Sequence, residues 1–163
     1  MTDGPGVTGE GVTGEDAMGE GAAGLEAYVA VFEGLRPDRL DTLRDVCADD
    51  VRFIDPFNDV RGIDALIGVF RHMYKTLDEA AFEVTDRAVG QDASYLRWTM
   101  TARKKGSAEG FQIVGMSEVH FDGSGKATLH VDHWDTAAQL YNRVPILGWI
   151  LGRLRRLLAA PSV

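Results

Sequence analysis

The chain has 163 residues, 45% hydrophobic and 26% charged, with a net charge of −8 and a pI near 4.9. That length supports one core rather than two, and the acidic balance excludes the basic face that a nucleic-acid-binding domain needs to displace counterions. The single cysteine, Cys47, excludes an intrachain disulfide and a cysteine-built zinc cluster, and no apolar run is long enough to span a bilayer. No basic residue precedes an apolar stretch at the N-terminus, so no secretory signal is read and the expected location is the cytoplasm.

Residues 1–24 hold eight glycines and five acids but no base, and Gly-Val-Thr-Gly-Glu occurs twice in tandem, at 6–10 and 11–15. Such a stretch buries too little apolar area to offset its chain entropy, which predicts a disordered acidic tail. From Leu25 the residues Leu25, Tyr28, Val29 and Phe32 recur at helical spacing. Gly34 and Pro37 end that helix, and Asp38 can cap a second one carrying Leu40, Leu43 and Val46. A short strand over 51–55 stops at Pro56, and a turn follows through Asn58–Gly62. Helical spacing returns over 63–77. The period then becomes two, predicting strands near 81–89, 93–103, 110–121 and 126–135, with Asp122-Gly-Ser-Gly125 as a hairpin turn. A final helix is predicted over about 145–160. Helices set apart from a run of antiparallel strands make an α+β fold, and a curved sheet folded on its helices would enclose a conical cavity. The predicted organisation is a tail over 1–24, one domain over 25–142 and a C-terminal helical segment over 143–163.

Strand alternation sorts the polar residues by face. Asp55 shares a face with Val51 and Phe53. On 93–103, Tyr95, Arg97, Thr99 and Thr101 share one face, and Leu96, Trp98 and Met100 share the other. On the last strand His130, Asp132 and Trp134 lie together. If the polar-aromatic faces point inward, Asp55, Arg97 and Asp132 converge in a partly apolar cavity, with Leu96, Trp98 and Met100 left to pack elsewhere, as against a second subunit. Two carboxylates and one arginine can then hold different proton affinities, Asp132 paired with Arg97 and Asp55 serving as a base. The structural alternatives are that Asp55 caps the turn before Pro56, and that Arg97 and Asp132 form an internal strut. The four histidines offer no metal-ligand spacing, since His130 and His133 fall on opposite faces of one strand; no metal and no cofactor is expected.

The stretches Ala27-Tyr-Val-Ala30, Ala48-Asp-Asp-Val-Arg-Phe-Ile-Asp-Pro56 and Arg61-Gly62 resemble the ketosteroid isomerases, and Val131-Asp-His-Trp-Asp135 resembles the final strand of the limonene epoxide hydrolases. Both belong to the SnoaL-like, nuclear-transport-factor-2-like superfamily, and the resemblance covers about residues 25–140. It implies the cone-shaped cystatin-like fold, a curved antiparallel sheet wrapped on N-terminal helices. The isomerase likeness implies Asp55 as the proton-shuttling base and Tyr28 as an oxyanion donor. That family's second donor, a protonated aspartic acid, falls on Ser117 here. The hydrolase likeness implies Asp132 as the water-activating carboxylate and Arg97 as its bridging arginine. The hydrolase's second aspartate falls on Thr99, and its water-positioning tyrosine and asparagine fall on Phe53 and Asp55.

These readings give a hydrophobic small-molecule pocket carrying acid–base chemistry. Double-bond isomerisation through Asp55 leads. Water addition through Asp132 and Arg97, or a non-catalytic ligand-binding or dimerisation module, stand as alternatives. The catalytic set is Asp55, Asp132, Arg97 and Tyr28; the substrate-binding set is Phe53, Tyr95, Thr99, Ser117, His130 and Trp134. The expected partners are an apolar small molecule and a second copy of the chain. The C-terminal segment has Trp149 and several leucines beside Arg153, Arg155 and Arg156, so it serves either as a lid or packing helix or as a peripheral contact with an anionic membrane surface.

Overall fold

Period-two alternation of apolar and polar residues from 77 to 121 builds three long strands, and they form half of one six-stranded sheet. The computed structural model describes residues 14–141, 149 and 151–154, with side chains from residue 23 onward. In chain order the elements are α1 (Gly14–Glu33), a 3-10 turn (Leu40–Thr42), α2 (Leu43–Val46), β1 (Cys47–Ile54), β2 (Asp59–Arg61), α3 (Ile63–Thr76), β3 (Leu77–Val89), β4 (Ser94–Lys104), β5 (Gly110–Phe121), β6 (Ala127–His133) and α4 (Thr136–Gln139). The spatial order is β2-β1-β6-β5-β4-β3. Neighbours run antiparallel except β1 and β6, which pair in parallel and set Phe53 opposite His130. The sheet is curved and open, the helices lie against it, and the fold is α+β.

Helices α1 and α3 turn their apolar stripes onto the sheet. Leu25, Tyr28, Val29 and Phe32 from α1, and Ile63, Leu66, Ile67 and Phe70 from α3, are all buried. Midway along its length α1 crosses the β5–β6 turn so closely that a Cβ on Gly24 would stand 2.8 Å from the Gly125 carbonyl oxygen. Gly125 itself takes φ +79°, a conformation that side chains resist.

Two local readings of the sequence change. Helix α1 begins at Gly14, well before Leu25, inside the stretch read as a tail. The stretch read only as a turn after Pro56 contains β2, three residues that close a hairpin on β1 and are too short to show a period. Of the predicted C-terminal helix, Trp149 and Leu151–Leu154 are helical; its remainder, like residues 1–13, lies outside the described residues.

The larger correction concerns β4. Leu96, Trp98, Met100 and Ala102 are buried, whereas Tyr95, Arg97 and Thr101 are exposed and Thr99 is half-buried on that same outer face. The expected orientation is therefore reversed. Turning Leu96, Trp98 and Met100 inward removes a row of large apolar groups from water, while burying Arg97 without a carboxylate partner would cost several kcal/mol (~3–5).

Candidate functional site

The concave side of β4, β5 and β6 carries a ladder of polar groups set in apolar surroundings. Register places Leu96 across from Ser117 and Ser117 across from Asp132, and His130 lies two residues before Asp132 on the same face. Trp98 Nε1–H donates to Ser117 Oγ at 2.7 Å, and the Ser117 hydroxyl donates to Asp132 Oδ1 at 2.6 Å. His130 Nε2 lies 2.7 Å from the same Oδ1, and Tyr28 Oη lies 2.6 Å from His130 Nδ1. One assignment of protons satisfies every link. Tyr28 donates to Nδ1, Nε2–H donates to Asp132, and the Trp98–Ser117 arm arrives from the other side. Burial first, and then the neighbouring Cys47 and Asp132, push the Tyr28 hydroxyl well above its ordinary range, so it keeps the proton it donates.

All these donors point toward Asp132, an arrangement suited to a carboxylate. Oδ1 accepts two hydrogen bonds, while Oδ2 takes none from any described residue. The His130 side chain is 3% exposed and that of Asp132 is 16% exposed, so the carboxyl is the member of the chain open to a ligand. Phe32 stacks on the imidazole with ring centres 5.5 Å apart, and Phe53 tilts against it at 5.0 Å. These rings fix the histidine's plane and leave it no direction but the Tyr28–Asp132 line.

Asp132 opens into a cavity of about 730 Å³. Phe32, Phe53, Phe70 and Phe82 line its inner part together with Leu96, Trp98, Met100 and Ile113. Phe57, Trp134, His72, Met73 and Leu140 also line it, and the exposure of Phe57 and His72 places them toward its mouth. Among the described residues the lining includes Asp55 and Asp132 but no lysine or arginine.

The residues singled out from sequence separate into three groups. Phe53, Ser117, His130, Asp132 and Trp134 all line the cavity. Asp55 lines it too, but its carboxylate is spent locally. Oδ1 accepts from the Phe57 and Asn58 backbone amides at 2.7 and 2.6 Å, and the Asn58 side-chain amide reaches both oxygens at 3.0 Å. That is the geometry of an Asx turn holding the β1–β2 hairpin, the structural alternative weighed for this residue. Tyr28 is fully buried behind His130 and does not line the cavity, so it stands as a support for the histidine and not as a donor to an oxyanion.

Arg97, Tyr95 and Thr99 form the third group, on the far side of the sheet. Arg97 is exposed and donates to Thr85 Oγ1 at 3.3 Å, and Tyr95 is 40% exposed. The expected Arg97–Asp132 pairing is thus absent, and His130 with Ser117 takes its place. The residue that sequence reasoning missed is Trp98. The uninterrupted apolar alternation Leu96–Trp98–Met100–Ala102 was the signal that this face belongs inside. Among the described residues no group of three His, Cys, Asp or Glu side chains could hold a metal ion, and no helix is long and apolar enough to cross a membrane.

Around Asp132 the donors are spent within the chain and the wall offers a ligand an acceptor, Oδ2; the Trp134 indole and His72 imidazole of the lining stand outside that network. The surroundings of Asp132 suit proton abstraction better than oxyanion stabilisation.

Comparison with known proteins agrees with the architecture. Solved structures with the same fold include an LEH-like epoxide hydrolase of M. tuberculosis, with TM-score 0.59, 16% identity, and coverage of 87% of this chain and 98% of that one. A putative SnoaL-like polyketide cyclase from Jannaschia sp. CCS1 gives TM-score 0.62 and 13% identity over 88% of this chain and 94% of that one. AclR, a putative hydroxylase from Streptomyces galilaeus, gives TM-score 0.62 and 19% identity over 86% and 95%. At such identities the likeness concerns the fold alone. No curated protein matches the sequence. The family model for the SnoaL-like domain matches residues 25–130, which contain the second half of α1, all of α3, the sheet up to His130 and most of the hydrogen-bonded chain, and the protein therefore belongs to the SnoaL-like family.

Proposed function

We propose that this protein is an acid–base enzyme acting on a hydrophobic small molecule held in the 730 Å³ cavity, with Asp132 Oδ2 as the group that takes the substrate proton. One observation supports this above the others. The Tyr28–His130 and Trp98–Ser117 arms converge on Oδ1 of a single carboxylate and leave its second oxygen toward the apolar cavity. The arms hold Asp132 in one orientation, which is the preorganisation that proton transfer requires. His130 and Ser117 act as positioning residues through their hydrogen bonds to Oδ1.

Proton transfer of the isomerase kind is favoured over water addition. An epoxide hydrolase-like route would use an arginine beside Asp132, and Arg97 lies across the sheet, hydrogen-bonded to Thr85. The base for isomerisation moves in this reading from Asp55, held in its turn, to Asp132. We further propose a homodimer formed through the outer sheet face, where Tyr95 and Met116 stand 40% and 49% exposed.

The test begins with native mass spectrometry of the protein from its own cells, followed by denaturing release of any bound molecule and turnover assays on it. Asp132→Asn is expected to lower turnover by about 10²-fold or more with the fold retained, the usual contribution of a positioned base. Asp55→Asn is expected to keep turnover. The opposite result, with Asp55→Asn inactive and Asp132→Asn active, would overturn the assignment.

A further inference from the structure

The cavity's chemistry is lopsided in a way that bears on what it can hold. Its walls are aromatic: eight Phe and Trp side chains line it. Two carboxylates, Asp55 and Asp132, face the same space, and among the described lining residues there is neither lysine nor arginine to balance them. Asp55 has its negative charge met by amides of its own turn. Asp132 has one oxygen met and one open.

The donors tell the same story. Trp98 N–H is given to Ser117, Ser117 O–H and His130 N–H to Asp132, and Tyr28 O–H to His130. A neutral ligand with only acceptors, such as a ketone, meets none of these protons. An anionic ligand meets two carboxylates. A ligand that carries its own N–H bonds and a positive charge gains on both counts: it donates to Oδ2, and its charge is attracted by the faces of the surrounding rings.

We propose that the molecule this cavity selects is a hydrophobic amine in its protonated form, with the ammonium N–H on Asp132 Oδ2 and the apolar body among the aromatic walls. This deepens the functional reading above and rests on it, because it presumes that the cavity holds an apolar small molecule. Asp132 then anchors the cation through Oδ2.

The experiment uses the full chain and three matched fluorescent probes, an anthracene carrying a methylammonium, a hydroxymethyl or a carboxylate group, with binding followed by fluorescence anisotropy at neutral pH. The ammonium probe is expected to bind about tenfold or more tightly than the alcohol, the range for a hydrogen bond to a charged group, with the carboxylate weakest. Asp132→Asn is expected to erase the preference for the ammonium while leaving the alcohol's affinity within about threefold, and Asp55→Asn is expected to leave the preference intact. If the alcohol or carboxylate binds the wild-type protein as tightly as the ammonium, the amine proposal is wrong while the apolar-ligand reading stands. If none of the three binds, both fall. If Asp55→Asn removes the preference, its placement on Asp132 is wrong. The wild-type comparison decides the main point even if Asp132→Asn fails to fold.

Discussion

Gly115→Ala is the sharpest single test of the inner wall. Gly115 lies opposite Trp98 on the neighbouring strand, and the indole occupies the space where a side chain would stand. A Cβ there would fall 2.4 Å from Cζ2, 2.6 Å from Cη2 and 2.9 Å from Cε2 of Trp98. Ordinary carbon contacts begin near 3.4 Å, so the ring must withdraw by about 1 Å in a close-packed interior. Trp98 is also edge-on to Phe82, with ring centres 6.2 Å apart, and its Nε1–H is 2.7 Å from Ser117 Oγ. A 1 Å displacement would stretch that hydrogen bond to about 3.7 Å, past the useful range. Overpacking costs about 1–3 kcal/mol and the lost hydrogen bond about 1 kcal/mol, a total of about 2–4 kcal/mol. For a domain of this size the melting temperature should fall by roughly 4–16 °C. Urea unfolding followed by far-ultraviolet circular dichroism measures this, provided the slope with denaturant is unchanged. The sign is informative by itself. At an unobstructed site Gly→Ala stabilises by about 0.4–1 kcal/mol through the unfolded chain, so a neutral or stabilised variant would refute the packing of Trp98 on Gly115.

Three further outcomes follow from the same geometry. Tyr28→Phe should cost about 1–3 kcal/mol in chemical unfolding, because it leaves His130 Nδ1 buried without its donor, and a loss below about 0.5 kcal/mol would break the proposed link. Asp55→Ala should lower stability by about 1–2 kcal/mol by releasing the amides of the β1–β2 turn, and faster hydrogen exchange at Phe57 and Asn58 is the confirming signal. Stability should decline as alkali is added. Burial pushes the Cys47 thiol up to about 12 from 9.0, against a smaller opposing pull from Lys126, and raises Tyr28 well above 10.0. Both groups hold protons in the folded state that the unfolded chain releases, so their contribution is complete below about pH 9 and is lost as pH rises through the folded values. Equilibrium unfolding from pH 8 to 11 should show that fall, and a flat profile would contradict it.

Much of this arrangement can be read in the sequence because local patterns carry it. The helices over α1 and α3 follow from apolar residues three and four apart, and the strands over 94–104 and 110–121 follow from alternation, within a residue or two of their observed ends. Alternation on the last strand also groups His130, Asp132 and Trp134 on one face, and the three do line one cavity. Asp55 before Pro56 marks a turn. What the local pattern leaves open there is whether the carboxylate serves the turn or the cavity, because Asx turns and catalytic bases use the same side chain. The hairpin contacts to Phe57 and Asn58 give it to the turn.

By itself, then, the sequence determined an α+β chain, the extents of β4 and β5 and the turns between the later strands, and a polar-aromatic face near its end; β2 and the first residues of β1 and β3 were not legible in it. The tertiary structure decided which side of β4 points inward, because periodicity gives the relative faces of neighbouring residues and not which face meets the helices. It also decided that His130 is held by Tyr28, a residue 102 positions away, and that Asp132 rests on Ser117 and His130 rather than on Arg97. Those pairings depend on the strand register and on where α1 crosses the sheet. A hydrogen bond is made or lost within an ångström, whereas a hydrophobic period survives shifts of a whole residue.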